Sequence, residues 1–243
     1  MKQVIVTADD FGLSLGVAKG IIKALKEGIV TETCAITNSP DFKESAALAL
    51  ESGISKMGVH LNATVLKPLT ESENLAAILN EKGAFHKVWL KNDVKDEMVD
   101  ALRVEFKAQI ETLLATGLKL SHINSHHGLG MFSPKLWQLL QELAHDNQVP
   151  LRNEMSLLDE KDDACMVLHM TDPLASIINR LEKAQGDVIE LCCHPGYADE
   201  ALAAVTSLTQ EREADLSWVI SLEVKQAFAE HLELVDYSES KGD

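Results

Sequence analysis

The chain has 243 residues, of which 46% are apolar and only 5% aromatic, and its formal net charge is −16. This length suits one α/β domain with a large aliphatic core, so we predict a single domain over residues 1–243. The acidic surplus disfavours nucleic acid and anionic membrane surfaces and suits a neutral or cationic small ligand, although solubility alone is the commoner reason for such a charge.

The start of the chain and its cysteines bear on the compartment. The N-terminus enters a strand directly, without a signal peptide, and no apolar run approaches membrane-spanning length. The four cysteines form no CxxC pair, so we expect buried free thiols in a reducing compartment. These features predict a soluble, cytoplasmic protein. A homodimer is expected only because symmetric dimers are the commonest oligomers.

Short apolar strands alternate with amphipathic helices along most of the chain, which is typical of a parallel α/β sheet. The predicted strands are 3–8, 33–37, 57–62, 118–124, 149–152, 187–192 and 232–235, with a further strand left open at 164–168. The predicted helices are 15–27, 41–52, 94–116, one that starts at Ser133-Pro134, 173–184 and 221–230. About seven strands favour a closed or nearly closed barrel, and no GxGxxG or GxxxxGK[ST] loop supports a nucleotide-binding fold.

The segment 63–92 interrupts this alternation. It contains Pro68 and Gly83, and its Phe85, His86 and Trp89 look exposed. We interpret it as an insertion over the site that forms part of a substrate wall.

Three stretches place metal-binding residue types where a predicted strand ends. They are Thr7–Gly12, Gly58–Asn62 and His122–Gly128. In α/β proteins the active site lies at the carboxyl ends of the strands. One aspartate and two histidines from three strand ends are enough to hold a divalent metal with coordination positions left open.

Asp9 and Asp10 are adjacent at the first strand end, so their side chains diverge. One is then free to bind a metal while the other reaches a water on the open face of the ion. The alternative is a turn or a helix N-cap before Gly12 and Ser14.

Histidines supply the nitrogen ligands in this interpretation. A lone His60 in an apolar strand is more often a core residue, but the second histidine cluster makes it a candidate ligand. His122 lies inside its strand and is expected to be buried and hydrogen-bonded. Of His126 and His127, one should bind the metal and the other should face substrate or support the site, and residue chemistry does not choose between them.

Two further residues lie at later strand ends. His194 follows a buried strand and precedes Pro195-Gly196, so it is either another ligand or a titrating group aimed at the substrate. Arg152 is expected to pair with Asp9 or with a substrate oxygen, or to be an ordinary surface arginine. The histidines without convergent partners, which receive no role, are His86, His145, His169 and His231.

Four ordered motifs together resemble the YdjC-like carbohydrate deacetylases. They are Ala8-Asp9-Asp10-Phe11-Gly12, Gly58-Val59-His60-Leu61, Asn124-Ser125-His126-His127 and Cys193-His194-Pro195-Gly196, and the similarity extends over nearly the whole chain. The resemblance implies an α/β fold, an irregular (β/α) barrel of the glycoside hydrolase/deacetylase type. It also implies a divalent ion held by Asp10, His60 and His126, with Asp9 as the base and His194 as a candidate acid.

The remaining expectations follow from that resemblance. His127 and Arg152 are assigned to substrate binding. Mg²⁺ is favoured by the family, whereas ligand softness favours Zn²⁺ or another transition metal. This sequence departs from the family pattern at Asn124, where an Asp is common, and at Gly128 and Gly130, where histidines are common.

The function predicted from the sequence is metal-dependent hydrolysis of an N-acetyl group from an acetylated amino sugar, a linear amide C–N bond. The alternatives are a metal-dependent sugar isomerase, a non-haem Fe(II) oxygenase and a carbohydrate-binding relative with altered catalysis. The oxygenase is disfavoured because its ligands are usually set in an all-β scaffold, whereas this chain alternates strands and helices.

Overall fold

A computed structural model describes residues 1–158, 164–168 and 172–239 of the chain. Its core is one parallel sheet with the strand order β4-β3-β2-β1-β6-β5, and β7 pairs with the start of β1. The strands are β1 (Lys2–Phe11), β2 (Glu32–Ala35), β3 (Lys56–Leu61), β4 (Lys119–Ser125), β5 (Cys165–Val167), β6 (Val188–Cys193) and β7 (Leu232–Leu234). The predicted α/β class and the seven parallel strands are confirmed.

The strands are apolar because the sheet is covered. In β1 the last eight residues are all buried, which is the near-continuous burial expected of a parallel strand with both faces covered. The helices around it are α1 (Leu15–Glu27), α2 (Phe42–Glu51), α3 (Asp96–Leu114), α4 (Pro134–Asn147), α5 (Leu174–Lys183), α6 (Glu200–Ala203), α7 (Gln210–Val219) and α8 (Leu222–His231). Ser14 and Ser133 cap α1 and α4, each accepting a backbone N–H with its hydroxyl.

The sheet is less complete than a regular barrel. The strand predicted at 149–152 is reduced to one bridge, between Leu151 and Ile123 of β4. Within the described ranges, no strand ladder joins this segment to β5, so closure into a barrel stays a prediction. The single-domain organisation likewise stays a prediction, although one continuous apolar cluster runs from Val4 to Leu232.

The segment 63–92 differs from the expectation. It forms two 3₁₀ helices, Glu73–Ile78 and Lys87–Lys91. Phe85 and Trp89 were predicted to be exposed, and this is wrong, because both rings are buried. The Trp89 indole N–H donates to the carbonyl of Ala63 at 2.8 Å, which satisfies its polar atom inside the core.

Two helices were not predicted. The stretch that forms α6 and α7 is polar and lacks a regular apolar stripe, so its periodicity is weak. None of the helices within the three described ranges combines the length and apolar character that crossing a bilayer requires.

Candidate metal centre and active-site pocket

A cavity of about 400 Å³ opens at the carboxyl ends of the strands. It collects every residue that the sequence assigned to a site, namely Asp9, Asp10, His60, His126, His127, Arg152 and His194. These side chains come from five separate parts of the chain, and the parallel sheet brings them to one rim.

Asp10, His60 and His126 form the centre of the cavity. The Asp10 Oδ1 atom lies 3.0 Å from Nδ1 of His126 and 3.4 Å from Nε2 of His60. This oxygen is buried, and none of the described residues donates a hydrogen bond to it. One ligand atom from each of the three residues lies within 4.8 Å of the others. A carboxylate oxygen and two imidazole nitrogens converging in this way fit a divalent metal.

A β-bulge presents the two adjacent carboxylates to the same cavity. The register between β1 and β2 shifts between Ala8 and Phe11, and Asp10 has a φ of 71°. Bulges of this kind redirect side chains next to active sites. The bulge therefore lets Asp9 and Asp10 face one cavity while each contacts different partners.

Asp9 is held by Arg152. The guanidinium donates from Nη1 and Nη2 to the two Asp9 oxygens, each at 2.8 Å, and the Cys34 thiol donates to Oδ1 at 3.1 Å. Burial opposes ionisation of this carboxyl, but the charge of Arg152 outweighs it and holds the pKa of Asp9 below its ordinary value. Arg152 also donates to Glu190 from Nε at 3.0 Å and from Nη2 at 2.8 Å.

Arg152 was predicted to pair with Asp9 or with a substrate oxygen, and the structure shows the pairing with Asp9. A contact between Arg152 and substrate stays a prediction. Its guanidinium is 4% exposed, so it is not an ordinary surface arginine.

His126 and His127 have different environments. His126 Nδ1 reaches Asp10, whereas His127 is exposed and its Nδ1 lies 2.9 Å from the hydroxyl of Thr64. The two rings are in contact, with centroids 3.9 Å apart. Geometry therefore makes His126 the candidate ligand of the pair and leaves His127 at the mouth of the cavity.

His60 is buried, and its second nitrogen is engaged. Nδ1 lies 2.7 Å from the side-chain amide of Asn124. Burial lowers the pKa of His60 to about 4, so the ring is neutral near pH 7. A neutral imidazole is the form that binds a metal.

His194 lines the cavity at the end of β6. Its backbone N–H donates to Oδ2 of Asp215 at 2.8 Å, and the N–H of Gly196 donates to the carbonyl of Arg212 at 3.1 Å. On the other side the loop packs against α1 so closely that a Cβ at Gly20 would lie 2.5 Å from the Cα of Gly196. The loop that carries His194 is therefore fixed from both sides.

The histidine loop after β4 is organised by Glu154, a residue that the sequence did not single out. Its carboxylate accepts hydrogen bonds from the backbone N–H and hydroxyl of Ser125 and from the N–H of Gly130. Burial raises the pKa of Glu154 to about 7. A Cβ at Gly130 would lie 2.6 Å from the ring of Trp137 and 3.2 Å from Glu154, so glycine at this position permits the contact.

Arg212 in α7 is the second residue that was missed. It is 2% exposed, and its Nη2 donates to Oδ2 of Asp10 at 2.6 Å. This leaves Oδ1 of Asp10 to face the two imidazoles. Burial opposes ionisation of Asp10, but His126 and Arg212 hold its pKa well below its ordinary value. The stretch Glu211-Arg212-Glu213 shares the family resemblance, but Arg212 received no role, because an arginine between two glutamates on a polar helix is typical of a solvated face.

Three further predictions concern His122, the four cysteines and His169. His122 is fully buried, and its Nδ1 lies 3.0 Å from the Ser121 hydroxyl, as predicted. The four cysteines are buried free thiols, also as predicted. His169 lies outside the described residues.

Together the fold and the pocket define an α/β protein in which two imidazoles and one carboxylate converge, a combination of groups that binds divalent cations in other proteins. The chain belongs to the YdjC-like protein family, whose profile matches residues 3–230.

Named relatives support this membership. A carbohydrate deacetylase of Vibrio vulnificus is 36% identical over 98% of this chain and 96% of its own length. A carbohydrate deacetylase of Clostridium beijerinckii is 30% identical over 98% of this chain and 99% of its own. A crystal structure of an Enterococcus faecalis protein, whose name proposes cleavage of a cellobiose phosphate, matches with a TM-score of 0.87 over 98% of both chains at 30% identity.

Proposed function

We propose that this chain is a metal-dependent hydrolase that removes an N-acetyl group from an acetylated amino sugar or oligosaccharide. The observation that carries the proposal is the buried Oδ1 of Asp10 between the nitrogens of His60 and His126, with Asp9 and His194 in the same cavity. The relatives named as carbohydrate deacetylases support the substrate class.

Asp10, His60 and His126 would hold the cation. When bound, a divalent ion of this kind polarises a carbonyl oxygen and lowers the pKa of a water molecule from about 15.7 towards about 7. Mg²⁺ is favoured by the family resemblance, and the two nitrogen ligands also suit Zn²⁺ or another transition metal. Arg212 keeps the second oxygen of Asp10 occupied, so the carboxylate would offer one oxygen to the ion.

Asp9 is the proposed general base. It is ionised at neutral pH, and Arg152 fixes the orientation of its carboxylate through two hydrogen bonds. In amide hydrolysis this carboxylate would accept a proton from the attacking water as the C–O bond forms. A base with a lowered pKa is a weak one, so its contribution depends on the acidity of that water.

His194 is the proposed general acid. It would donate a proton to the departing amine nitrogen as the C–N bond breaks, which yields acetate and a free amino sugar. Its loop is held by Asp215 and Arg212, so the imidazole stays at the rim of the cavity. His127 and Arg152 are the residues proposed to contact substrate, and the exposure of His127 suits that role better than the fully engaged guanidinium does.

The test is release of acetate from N,N′-diacetylchitobiose and related acetamido sugars by metal-reconstituted protein. An Asp10→Asn variant keeps the size of the side chain while weakening the ligand, and a His122→Asn variant changes a buried histidine away from the cavity. We expect metal-dependent acetate from the wild type and from His122→Asn, and none above background from Asp10→Asn.

Absence of acetate from protein that demonstrably binds metal would overturn the proposal. Conversion of an unacetylated sugar to its isomer by the same preparation would support the sugar isomerase alternative instead.

A further inference from the structure

Glu190 is a buried carboxylate behind the Asp9–Arg152 pair, and the proposed mechanism gives it no role. It lies in β6 and is 6% exposed. Its Oε1 accepts hydrogen bonds from Nε and Nη2 of Arg152, at 3.0 and 2.8 Å, while the Asp9 oxygens accept from Nη1 and Nη2. The neutral amide of Asn124 also lies 2.9 Å from Nη2. The planar guanidinium is therefore held on two edges by two carboxylates.

Two hydroxyl groups hold the Glu190 carboxylate in turn. Thr7 of β1 donates to Oε1 at 2.6 Å, and Tyr237 donates to Oε2 at 2.6 Å. Bonds from a hydroxyl to a carboxylate at about 2.5–2.7 Å are charge-assisted and roughly twice as strong as bonds between neutral groups. Oε1 accepts three hydrogen bonds, whereas Tyr237 is the one described residue that donates a hydrogen bond to Oε2. Its hydroxyl therefore fixes the plane of the carboxylate.

Tyr237 belongs to the C-terminal tail, by which we mean residues 235–239, directly after β7. Two further contacts dock the tail against the sheet. Asp236 pairs with Lys56 at 2.6 Å, and the ring of Tyr237 stacks on His122 with centroids 4.2 Å apart. These contacts fix the position of the hydroxyl that binds the carboxylate of β6. The described residues that line the cavity all come from other parts of the chain, so this hydroxyl acts from outside the cavity.

We propose that Glu190 and Tyr237 are positioning residues, through which the C-terminal tail fixes the orientation of the Asp9 carboxylate. The route runs from the Tyr237 hydroxyl to Glu190, then to the guanidinium of Arg152, and from there to both oxygens of Asp9. Both residues act through Arg152 rather than on the substrate. This role rests on the proposed function, because it is there that Asp9 accepts the proton of the attacking water.

The geometry explains why a second carboxylate matters for the base. Two hydrogen bonds fix Asp9 relative to Arg152, but a long arginine side chain has many rotamers, so the pair would otherwise move as a unit. The hydrogen bonds from Nε and Nη2 to Glu190 remove that freedom, because they hold the guanidinium on a second edge. A displacement of about 1 Å in a reacting group can cost about 100-fold in rate.

The first experiment removes the Tyr237 hydroxyl without changing any charge. Tyr237→Phe keeps the ring that stacks on His122, and Tyr197→Phe is the matched control at a tyrosine that is 39% exposed. With N,N′-diacetylchitobiose and Mg²⁺, we expect Tyr237→Phe to lower kcat about tenfold and to leave KM and Mg²⁺ affinity unchanged. Tyr197→Phe should match the wild type in all three quantities. An unchanged kcat in Tyr237→Phe, or a fall in its Mg²⁺ affinity as large as the fall in kcat, would overturn the inference.

The second experiment shows whether the effect passes through Arg152. Arg152→Lys keeps the positive charge, but one ammonium group does not replace the planar fork that binds two carboxylates. In this background we expect Tyr237→Phe to cause little further loss of kcat, because the route to Asp9 is already cut. Independent sites would instead give the same fold-change in both backgrounds. An undiminished loss in Arg152→Lys would therefore contradict the inference.

The third experiment needs no substrate and separates this inference from the proposed function. The Nε–H of Arg152 donates to Glu190, so its hydrogen should exchange slowly with solvent. The exchange rate is read from ¹H–¹⁵N spectra of the arginine Nε groups, in which Arg152→Lys identifies the signal. We expect faster exchange in Tyr237→Phe than in Tyr197→Phe, and equal rates would overturn the inference. Wild-type protein that releases no acetate while this difference persists would refute the deacetylase proposal and leave the positioning of Asp9 standing.

Discussion

Two groups of buried histidine and carboxylate lie on the described part of the sheet, and their side chains are arranged differently. At the carboxyl ends of the strands, Oδ1 of Asp10 faces His60 and His126 at the floor of a cavity. Towards the amino ends of β2, β3 and β4 lies a second set, which we call the lower cluster. It consists of Glu32, Lys56, Ser121, His122 and Tyr237.

The members of the lower cluster contact one another. The Ser121 hydroxyl donates to Glu32 at 3.1 Å, and Lys56 lies 3.6 Å from the other oxygen of that carboxylate. The ring of Tyr237 stacks on His122 with centroids 4.2 Å apart. Gly58 makes room for the imidazole, because a Cβ there would lie 2.4 Å from it. The comparison teaches that residue type does not define a site. What matters is whether the ligand atoms converge beside a cavity.

The largest expected effect comes from substituting the two histidines in and directly after β4, one from each cluster. His126→Ala removes a proposed ligand, so metal affinity should fall by more than about 100-fold, beyond the usual effect of an outer partner. His122→Asn should lower thermal stability, because a buried stacked ring is lost, and should leave metal affinity close to that of the wild type. Calorimetric metal titration of both variants measures this. Equal losses of affinity would erase the distinction between the two clusters.

The next largest expected effect is on turnover and compares one buried carboxylate from each cluster, Asp9 and Glu32. Asp9→Asn should reduce kcat by about 10²–10⁴-fold while metal still binds, because general base assistance is lost. Glu32→Gln, the matched change in the lower cluster, should leave kcat unchanged. Steady-state acetate release with parallel metal titration separates the two. Near-native turnover by Asp9→Asn would remove Asp9 from the role of base.

The smallest effect is one of stability and depends on pH. Burial raises the pKa of Glu32 from 4.5 to about 7, despite the opposing charge of Lys56. A carboxyl with a raised pKa in the folded state contributes stability that is fully present below pH 4.5 and is lost as pH rises through 7. That loss amounts to at most about 3 kcal/mol.

The free energy of unfolding of the wild type should therefore fall between pH 5 and pH 8, and Glu32→Gln should flatten this slope. Denaturant titration at both pH values gives the measurement. An exposed carboxylate change, Glu71→Gln, serves as the control and should keep the wild-type slope. An unaltered slope in Glu32→Gln would assign the pH dependence to another group.

The main features of the fold were predictable because they depend on local pattern. The helix predicted at 15–27 is α1 to the residue, since its apolar stripe, its Ser14 cap and its terminal Gly28 all agree. The strand at 149–152 was overestimated, because an apolar run does not reveal whether it has a neighbour to pair with. The burial of Trp89 was missed because its partner, the carbonyl of Ala63, lies 26 residues away.

The sequence by itself determined which side chains meet at the rim, because parallel strands end on one side of the sheet. Asp9, Asp10 and His60 lie in the last residues of their strands, and His126 and His194 come directly after theirs. The tertiary structure alone decided which atoms face each other. A bulge at Asp10 and the reach of Arg212 from α7 orient one carboxylate oxygen towards two imidazoles. Arg212, Glu154 and Asn124 act across 202, 29 and 64 residues of sequence, and local periodicity carries no information about contacts at such separations.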